Sequence, residues 1–173
     1  MTMRAPQPDE YVAYYARYIA LVPPGDLIGV MRAQLDELKA LLAHVTPTQA
    51  EFSYAPGKWS LKEVVGHCAD TERVFGFRAL HISRGDPSPL PSFDQDTWAP
   101  EGRFNALPFA QVLDQWVTAR RANLSALEGT PSEVQERRGT VSGNPATVRA
   151  LYHILPGHVA YHITLIKRDY LKQ

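Results

Sequence analysis

Four long segments of this 173-residue chain repeat apolar residues at steps of three and four, which restricts the fold to packed helices. They cover residues 27–44, 60–83, 109–128 and 146–171. A tyrosine-rich segment over residues 11–22 ends before Pro23, so we expect a short helix there. No segment has the alternating pattern of a strand, and residues 130–145 form a polar linker. The sequence predicts an all-α fold: a bundle of four long helices with an additional short N-terminal helix.

The second long helix has the clearest start signal in the sequence. Ser60 and Glu63 form an S-x-x-E capping box, in which each side chain bonds the backbone N–H of the other residue. Trp59 precedes the cap and is placed to pack onto Val64. This role makes Glu63 a poor candidate for catalysis. Asp26 is the corresponding candidate cap of the first long helix.

Size and composition predict a single domain over residues 1–173, with residues 1–8 expected to be flexible. Equal numbers of basic and acidic residues, 18 of each, remove the electrostatic driving force for nucleic-acid binding. No stretch approaches the ~20 apolar residues of a membrane span, and the start of the chain lacks a signal-peptide pattern. The single cysteine, Cys68, excludes an intrachain disulfide and fits a reducing compartment. We therefore expect a cytoplasmic protein without a nucleic-acid or membrane partner.

A histidine pair lies in the last helix, in the stretch Gly157-His158-Val159-Ala160-Tyr161-His162. Residues four apart lie on one helix face, and here that face is the apolar one. Its other members are Leu151, Leu155, Leu165 and Ile166. Burying an unpaired polar group costs about 1–3 kcal/mol, so both imidazoles need partners, and one divalent metal ion would serve both. The alternatives are a chance pair among six histidines, or hydrogen bonds to neighbouring groups.

His67 offers a third nitrogen ligand from the second long helix. It lies at the edge of that helix's apolar stripe, from which it can lean into the bundle towards His158 and His162. Three neutral imidazoles suit Zn²⁺, Ni²⁺ or Fe²⁺ and suit Mg²⁺ or Ca²⁺ poorly. Three protein ligands also leave coordination positions open, as in reactive sites. His153 points away from the pair, and His81 lies roughly 20 Å beyond His67 along its helix, so neither fits the set.

Other groups near these histidines have two interpretations each. Asp70 and Glu72 are placed to orient an imidazole, but a surface carboxylate or an ion pair explains each of them more simply. Residues 93–98, inside the long connection 84–107, either border a pocket or pin the connection to the body. Cys68 adjoins His67 but falls in the apolar stripe, so we interpret it as a buried hydrophobe rather than a nucleophile.

Three motifs carry a resemblance to a known family. They are Pro56-Gly57-Lys58-Trp59-Ser60 leading into Glu63-Val64-Val65-Gly66-His67-Cys68-Ala69-Asp70, then Phe93-Asp94-Gln95-Asp96-Thr97-Trp98, then Gly157-His158 through His162. The W-S-x-x-E-x-x-x-H and H-x-x-x-H blocks are the specific parts. With them, residues 11–170 resemble the DinB-like superfamily, especially its branch of YfiT-type metal-dependent hydrolases and bacillithiol transferases.

The resemblance implies a four-helix bundle with up-down-down-up topology, which would account for the long connection 84–107. It also implies a divalent metal held by His67, His158 and His162. The expected partner of this site is a small-molecule substrate. Dimers are common in the family, so a homodimer is possible here.

Two reactions and one non-catalytic role are compatible with this site. In a hydrolase, the metal lowers the pKa of bound water towards ~7 and delivers hydroxide to an ester, an amide or a similar centre. In a small-thiol S-transferase, the open position takes the thiolate of a low-molecular-weight, bacillithiol-like thiol, which attacks an electrophile. The third possibility is a stress-related or metal-binding bundle without turnover. The sequence offers no convincing general base beside the three histidines.

Overall fold

The computed structural model describes residues 3–172 of the chain. Its α-helices are α1 (Ala16–Ile19), α2 (Leu27–Leu42), α3 (Pro47–Glu51), α4 (Leu61–Ser83), α5 (Gln95–Glu101), α6 (Phe109–Glu128) and α7 (Val148–Leu165). Short 3₁₀ turns cover Pro8–Glu10, Ala13–Tyr15, Phe104–Ala106 and Ser132–Val134, and a π-helical turn, Ile166–Tyr170, extends α7. The four long helices α2, α4, α6 and α7 form the predicted bundle.

The helix starts follow from local capping. At α4 the Ser60 hydroxyl accepts a hydrogen bond from the Glu63 N–H (3.2 Å), and the Glu63 carboxylate accepts one from the Ser60 N–H (2.7 Å). At α7 the Thr147 hydroxyl accepts from the Ala150 N–H at 3.2 Å. Asp26 is the N-cap residue of α2, but its side chain makes no capping hydrogen bond. The predicted capping box of α4 is therefore confirmed.

Contacts along α2 and α7 show that these two helices are parallel. The Gln34 side chain donates to the Pro156 carbonyl oxygen at 2.8 Å. Further along both helices, Glu37 pairs with Lys167 at 2.8 Å. The residue numbers rise together, so both helices run in one direction, which we call up.

The other two long helices run down. Arg32 near the start of α2 pairs with Glu128 at the end of α6, so these helices are antiparallel. Arg73 of α4 donates to Gln115 of α6 at 3.1 Å, and further along both helices Gly76 lies against Asn123. Helices α4 and α6 are therefore parallel, and the order is up-down-down-up, as the family resemblance implied.

The parallel arrangement of α4 and α6 explains the long connection between them. The chain leaves α4 at one end of the bundle and must return along its full length before α6 begins. Residues 84–108 make this return, and they contain α5 and a 3₁₀ turn rather than an open loop. Asp94 caps α5 by accepting from the Asp96 N–H at 3.0 Å.

The prediction of a polar linker over residues 130–145 is wrong in part, because a β-strand forms within this segment. Strand β1 (Arg138–Val141) pairs antiparallel with β2 (Asn144–Thr147), with Val141 opposite Asn144. Ser142 and Gly143 form the two-residue turn with φ of 53° and 75°, the pattern of a tight hairpin turn. The small hairpin packs at the start of α7 and leaves the helical class of the fold unchanged.

The segment of residues 8–22, here called the N-terminal segment, lies across α7. It contains two 3₁₀ turns and α1, so the predicted short helix is present but broken into pieces. The buried Glu10 carboxylate accepts hydrogen bonds from Arg149 and from the Thr147 hydroxyl, the latter at 2.7 Å. Of the residues expected to be flexible, 1 and 2 lie outside the described part, and Met3 is buried.

The apolar stripes of the long helices meet in the bundle core. Leu61, Trp116 and Leu151 are among its fully buried or nearly fully buried side chains. Helix α7 continues through Pro156 without a break, although proline removes one backbone donor. None of the helices between residues 3 and 172 is long and apolar enough to cross a membrane.

Candidate metal centre

Three histidine side chains from two helices meet inside the bundle. His67 comes from α4, and His158 and His162 lie one turn apart on α7. The Nε2 atom of His158 is 3.0 Å from Nε2 of His67 and 3.2 Å from Nε2 of His162. All three side chains are buried, and the possible ligand atoms lie within 4.8 Å of one another. The structure thus brings together all three histidines chosen from the sequence.

Burial keeps these imidazoles neutral at pH 7. Burial lowers the pKa of His67 to about 4. It also lowers the pKa of His162 to about 3, with smaller effects from His67 and Arg17. The pKa of His158 falls well below its ordinary value, again mainly through burial and then through the neighbouring His162. Neutral rings keep a free lone pair, which is the form that binds a metal.

The spacing of the nitrogens fits ligands of one shared ion. Two nitrogens bonded to one ion at about 2.1 Å lie roughly 3.0–3.4 Å apart at octahedral to tetrahedral angles. The Nε2 separations from His158, 3.0 and 3.2 Å, fall in this range. Three neutral imidazoles also bind borderline transition ions in preference to Mg²⁺ or Ca²⁺.

Aromatic packing orients the three rings. Tyr18 meets His158 edge to face at 5.3 Å between centroids, Trp59 lies 4.9 Å from His67, and Tyr161 lies 5.3 Å from His162. The Nδ1 atoms of His158 and His162 are buried and have no hydrogen-bond partner among the described residues. Contacts with Tyr18 and Tyr161 therefore contribute to the orientation of these two imidazoles.

Neither acidic candidate from the sequence serves the histidines. Glu72 is buried, but its carboxylate accepts hydrogen bonds from Arg120 at 2.9 Å and from Asn123 at 2.7 Å. Asp70 pairs with Arg73 on the outer side of α4 at 2.9 Å. The ion-pair interpretation is confirmed for both residues.

The remaining reactive side chains lie apart from the site. Cys68 is buried in the core, where burial raises the pKa of its thiol, so the hydrophobe interpretation is confirmed. His153 bonds the Arg149 carbonyl at 2.8 Å, and His81 bonds the Ser88 carbonyl at 3.0 Å. Neither of these histidines belongs to the cluster.

Two cavities reach the cluster from outside. The main cavity, of about 260 Å³, touches His67 and His162, and the second cavity, of about 160 Å³, touches His67 and His158. Gln95 and Asp96 border the main cavity, and Phe93, Asp94 and Gln95 border the second. The 93–98 segment therefore borders a pocket, while its capping and its Phe93–Trp98 contact also pin the connection down.

The family model of the DinB superfamily matches residues 31–166, which is well over half of this chain. The chain belongs to the DinB superfamily. A solved structure of YfiT from Bacillus subtilis is similar to it, with a TM-score of 0.70 and 17% sequence identity over 94% of this chain and 91% of that one. YfiT is described as a probable metal-dependent hydrolase with an unusual four-helix bundle topology. At this identity the similarity shows the fold alone. No curated protein matches the chain significantly.

Some residues of the site in this DinB-superfamily protein were not anticipated from the sequence. The three histidines lie within residues 31–166, whereas Tyr14, Arg17 and Tyr18 of the N-terminal segment precede them and form one wall of the main cavity. The tyrosine-rich composition of this segment was the available signal. Thr71, one turn after His67, lines the second cavity with a buried hydroxyl that has no partner among the described residues.

Proposed function

We propose that this protein is a metal-dependent enzyme that hydrolyses a small substrate beside a divalent ion held by His67, His158 and His162. The observation that carries the proposal is the convergence of three neutral, buried Nε2 atoms where two cavities end. The description of YfiT as a probable metal-dependent hydrolase supports it. Three ligands from the protein leave positions for water and substrate.

The donor set favours Zn²⁺, Ni²⁺ or Fe²⁺. Such an ion, when bound, supplies Lewis acidity that lowers the pKa of water towards neutrality and polarises a carbonyl group. In the hydrolysis of an ester, the water oxygen bonds to the acyl carbon, the bond to the leaving oxygen breaks, and a water proton ends on the leaving oxygen. The products are a carboxylic acid and an alcohol.

The protein's own residues position the substrate and the ligands. Tyr18, Trp59 and Tyr161 fix the imidazole rings through their edge and face contacts. The unpartnered hydroxyl of Thr71 is available to hydrogen-bond a polar group of a substrate in the second cavity.

Transfer of a small thiol would use the same three ligands. The thiol would have to enter as a second substrate, since the chain's single cysteine, Cys68, is buried away from both cavities. The two reactions therefore differ in one requirement. Hydrolysis proceeds with water alone, whereas transfer depends on added thiol.

The test begins with metal content. Protein purified without added metal is analysed for transition metals and titrated with Zn²⁺ and Ni²⁺, and we expect about one ion per chain. The metal-loaded protein is then assayed with para-nitrophenyl acetate, and separately with monochlorobimane plus cysteine or glutathione. We expect ester hydrolysis that needs the ion and no added thiol.

Matched variants test whether metal binding and hydrolysis depend on the three histidines. His158→Ala/His162→Ala should lose both the ion and the hydrolysis, whereas His44→Ala, at an exposed position, should keep both. Less than a tenth of an equivalent of metal with no uptake on titration would refute the proposal and favour a non-catalytic bundle. Product formed only with added thiol would favour transfer instead.

A further inference from the structure

Building on the proposed function, we infer that the substrate is a small ester or amide bearing a carboxylate, and that Arg17 of the N-terminal segment binds this carboxylate. Arg17 lines the main cavity, whose inner end is formed by His67 and His162. The reacting carbonyl would then lie at the histidines and the anionic end at the guanidinium. Arg17 would thus determine specificity.

The guanidinium of Arg17 contacts two tyrosines and has no carboxylate partner among the described residues. Its Cζ lies 3.9 Å from the Tyr14 ring centroid, and its Nη2 donates to the Tyr18 hydroxyl at 2.8 Å. Among residues 3–172 no carboxylate lies within 4.0 Å of it. Arg17 is exposed, so its remaining N–H groups are accessible from the cavity, and a guanidinium is suited to bind a carboxylate through two parallel hydrogen bonds.

The charge balance of the main cavity also favours an anion. Lys58 lines it as a second cation, and it too has no carboxylate within 4.0 Å among the described residues. Asp96 is the acidic residue of the lining, so the side chains sum to one positive charge. A divalent ion at the histidines would add to this. An anionic substrate would be attracted to the opening, and a cationic one repelled.

The remaining walls suit a flat or apolar portion of the substrate. Tyr54, Trp59, Tyr161 and Tyr170 line the main cavity. The faces of their rings offer surface to a hydrocarbon or aromatic part of a substrate. The cavity volume of about 260 Å³ limits the substrate to a small molecule.

The position of Arg17 in the chain agrees with a role in specificity. The proposed metal ligands lie within the residues that match the superfamily, and Arg17 lies before them. The wall it belongs to is built by α1, which packs on α7. The contacts of Arg17 are with Tyr14 and Tyr18 rather than with a histidine, so a change at Arg17 can alter what the cavity binds without removing a contact to the histidine rings.

The inference is tested with two pairs of probes on the metal-loaded protein. The first pair is para-nitrophenyl hydrogen glutarate and its neutral methyl ester. The second pair is para-toluenesulfonate and methyl para-tolyl sulfone, chosen because both bind metals weakly. Binding of this pair to the protein is followed by ligand-observed NMR. We expect the anion of each pair to be preferred.

Substitution of Arg17 should remove this preference. Arg17→Gln should raise the KM for the anionic ester about tenfold, the effect of ~1.4 kcal/mol, and leave the KM of the methyl ester within about twofold. Binding of the sulfonate should weaken by a similar factor. Arg17→Lys should keep part of the preference, and Arg121→Gln, an exposed arginine outside both cavities, should change nothing.

The outcomes distinguish this inference from the proposed function. Equal binding of the sulfonate and the sulfone, or equal weakening of both by Arg17→Gln, would overturn the inference even if metal-dependent hydrolysis is present. If neither ester is hydrolysed but the sulfonate preference and its loss in Arg17→Gln are found, the anion site stands and the hydrolase proposal fails.

Discussion

The carbonyl oxygen of Tyr18 occupies the space in which a side chain on Gly157 would lie. A Cβ built on Gly157 overlaps this oxygen and lies 2.5 Å from the carbonyl carbon. Both are backbone atoms, so no change of rotamer relieves the overlap. The N-terminal segment can therefore approach α7 this closely only because the residue before His158 has no side chain.

Substitution of Gly157 by alanine is expected to push the N-terminal segment away from α7. We expect a loss of about 1–3 kcal/mol from overpacking, larger than the ~1 kcal/mol that alanine gains in a helix. The net loss of up to about 2 kcal/mol lowers Tm by up to roughly 4–8 °C in a chain of this size. Thermal unfolding followed by circular dichroism measures it, and cleavage by trypsin after Arg17 should become faster.

The control for this substitution is Gly129→Ala. A Cβ at Gly129 meets its nearest atom at 3.7 Å, an ordinary contact, so its Tm should change little. A Gly157→Ala protein that melts and is cleaved like the wild type would show that the N-terminal segment is not held at this contact.

Removal of the metal is expected to destabilise the protein. An ion that binds only the folded state, at a hundred times its Kd, adds about 2.7 kcal/mol, or roughly 5–10 °C in Tm. Chelation of the wild type should therefore lower Tm by this amount, as measured by differential scanning fluorimetry. His162→Gln should melt at the same temperature with and without chelator, and His44→Gln should respond like the wild type. An unchanged wild-type Tm would speak against a site in the folded protein.

The buried pair of Glu72 and Arg120 gives a third prediction. Both side chains are buried, and the Arg120 Nε donates to Glu72 at 2.9 Å. Glu72→Gln leaves the guanidinium without its counter-charge, which should cost about 3 kcal/mol in urea unfolding. Metal stoichiometry should remain at the wild-type value, because Glu72 is bonded to Arg120 and Asn123 rather than to a histidine.

Its control is Glu37→Gln, which removes an exposed pair with Lys167 and should cost less than about 1 kcal/mol. Loss of metal from Glu72→Gln with unchanged stability would mean that Glu72 supports the metal site instead of the fold.

The histidine cluster could be predicted because its geometry is mostly local. The spacing of His158 and His162 fixes them on one face of one helix, whatever the rest of the chain does. His67 needed one further assumption, that the apolar stripes of α4 and α7 face each other. Burial of apolar surface drives such stripes together, so the apolar stripe of each helix predicted that α4 and α7 face each other.

The cavity walls could not be predicted, because they depend on contacts distant in sequence. Tyr18 reaches the cluster through its fit against Gly157, and a glycine within a helix gives no sign of what approaches it. The β1–β2 hairpin was missed because its strands have only four residues each and little alternation. The Ser142-Gly143 dipeptide was its one local signal.

A pH dependence of stability should come from Glu10, which ties the N-terminal segment to Arg149 and Thr147. Burial raises the pKa of this carboxyl, but hydrogen bonds, first from Arg149, outweigh it and lower the pKa from 4.5 to about 2. The folded state then binds fewer protons than the unfolded state between these values. The stabilisation is therefore complete above pH 4.5 and is lost as the pH falls towards 2.

The measurement compares wild type with Glu10→Gln by urea unfolding from pH 7 to pH 3. At pH 7 the variant should be less stable by about 3 kcal/mol, because Arg149 loses a buried partner and keeps only Glu136. The difference should shrink below pH 4.5, since the wild-type advantage itself disappears there. The comparison is repeated in a His153→Gln background, because the Glu10 carboxylate raises the pKa of His153 and the titration of this side chain would otherwise contribute to the difference. Asp9→Asn, which removes an exposed pair with Arg138, is the control and should give a small difference at every pH. A Glu10→Gln difference that stays constant down to pH 3 would show that the carboxylate charge does not hold the N-terminal segment.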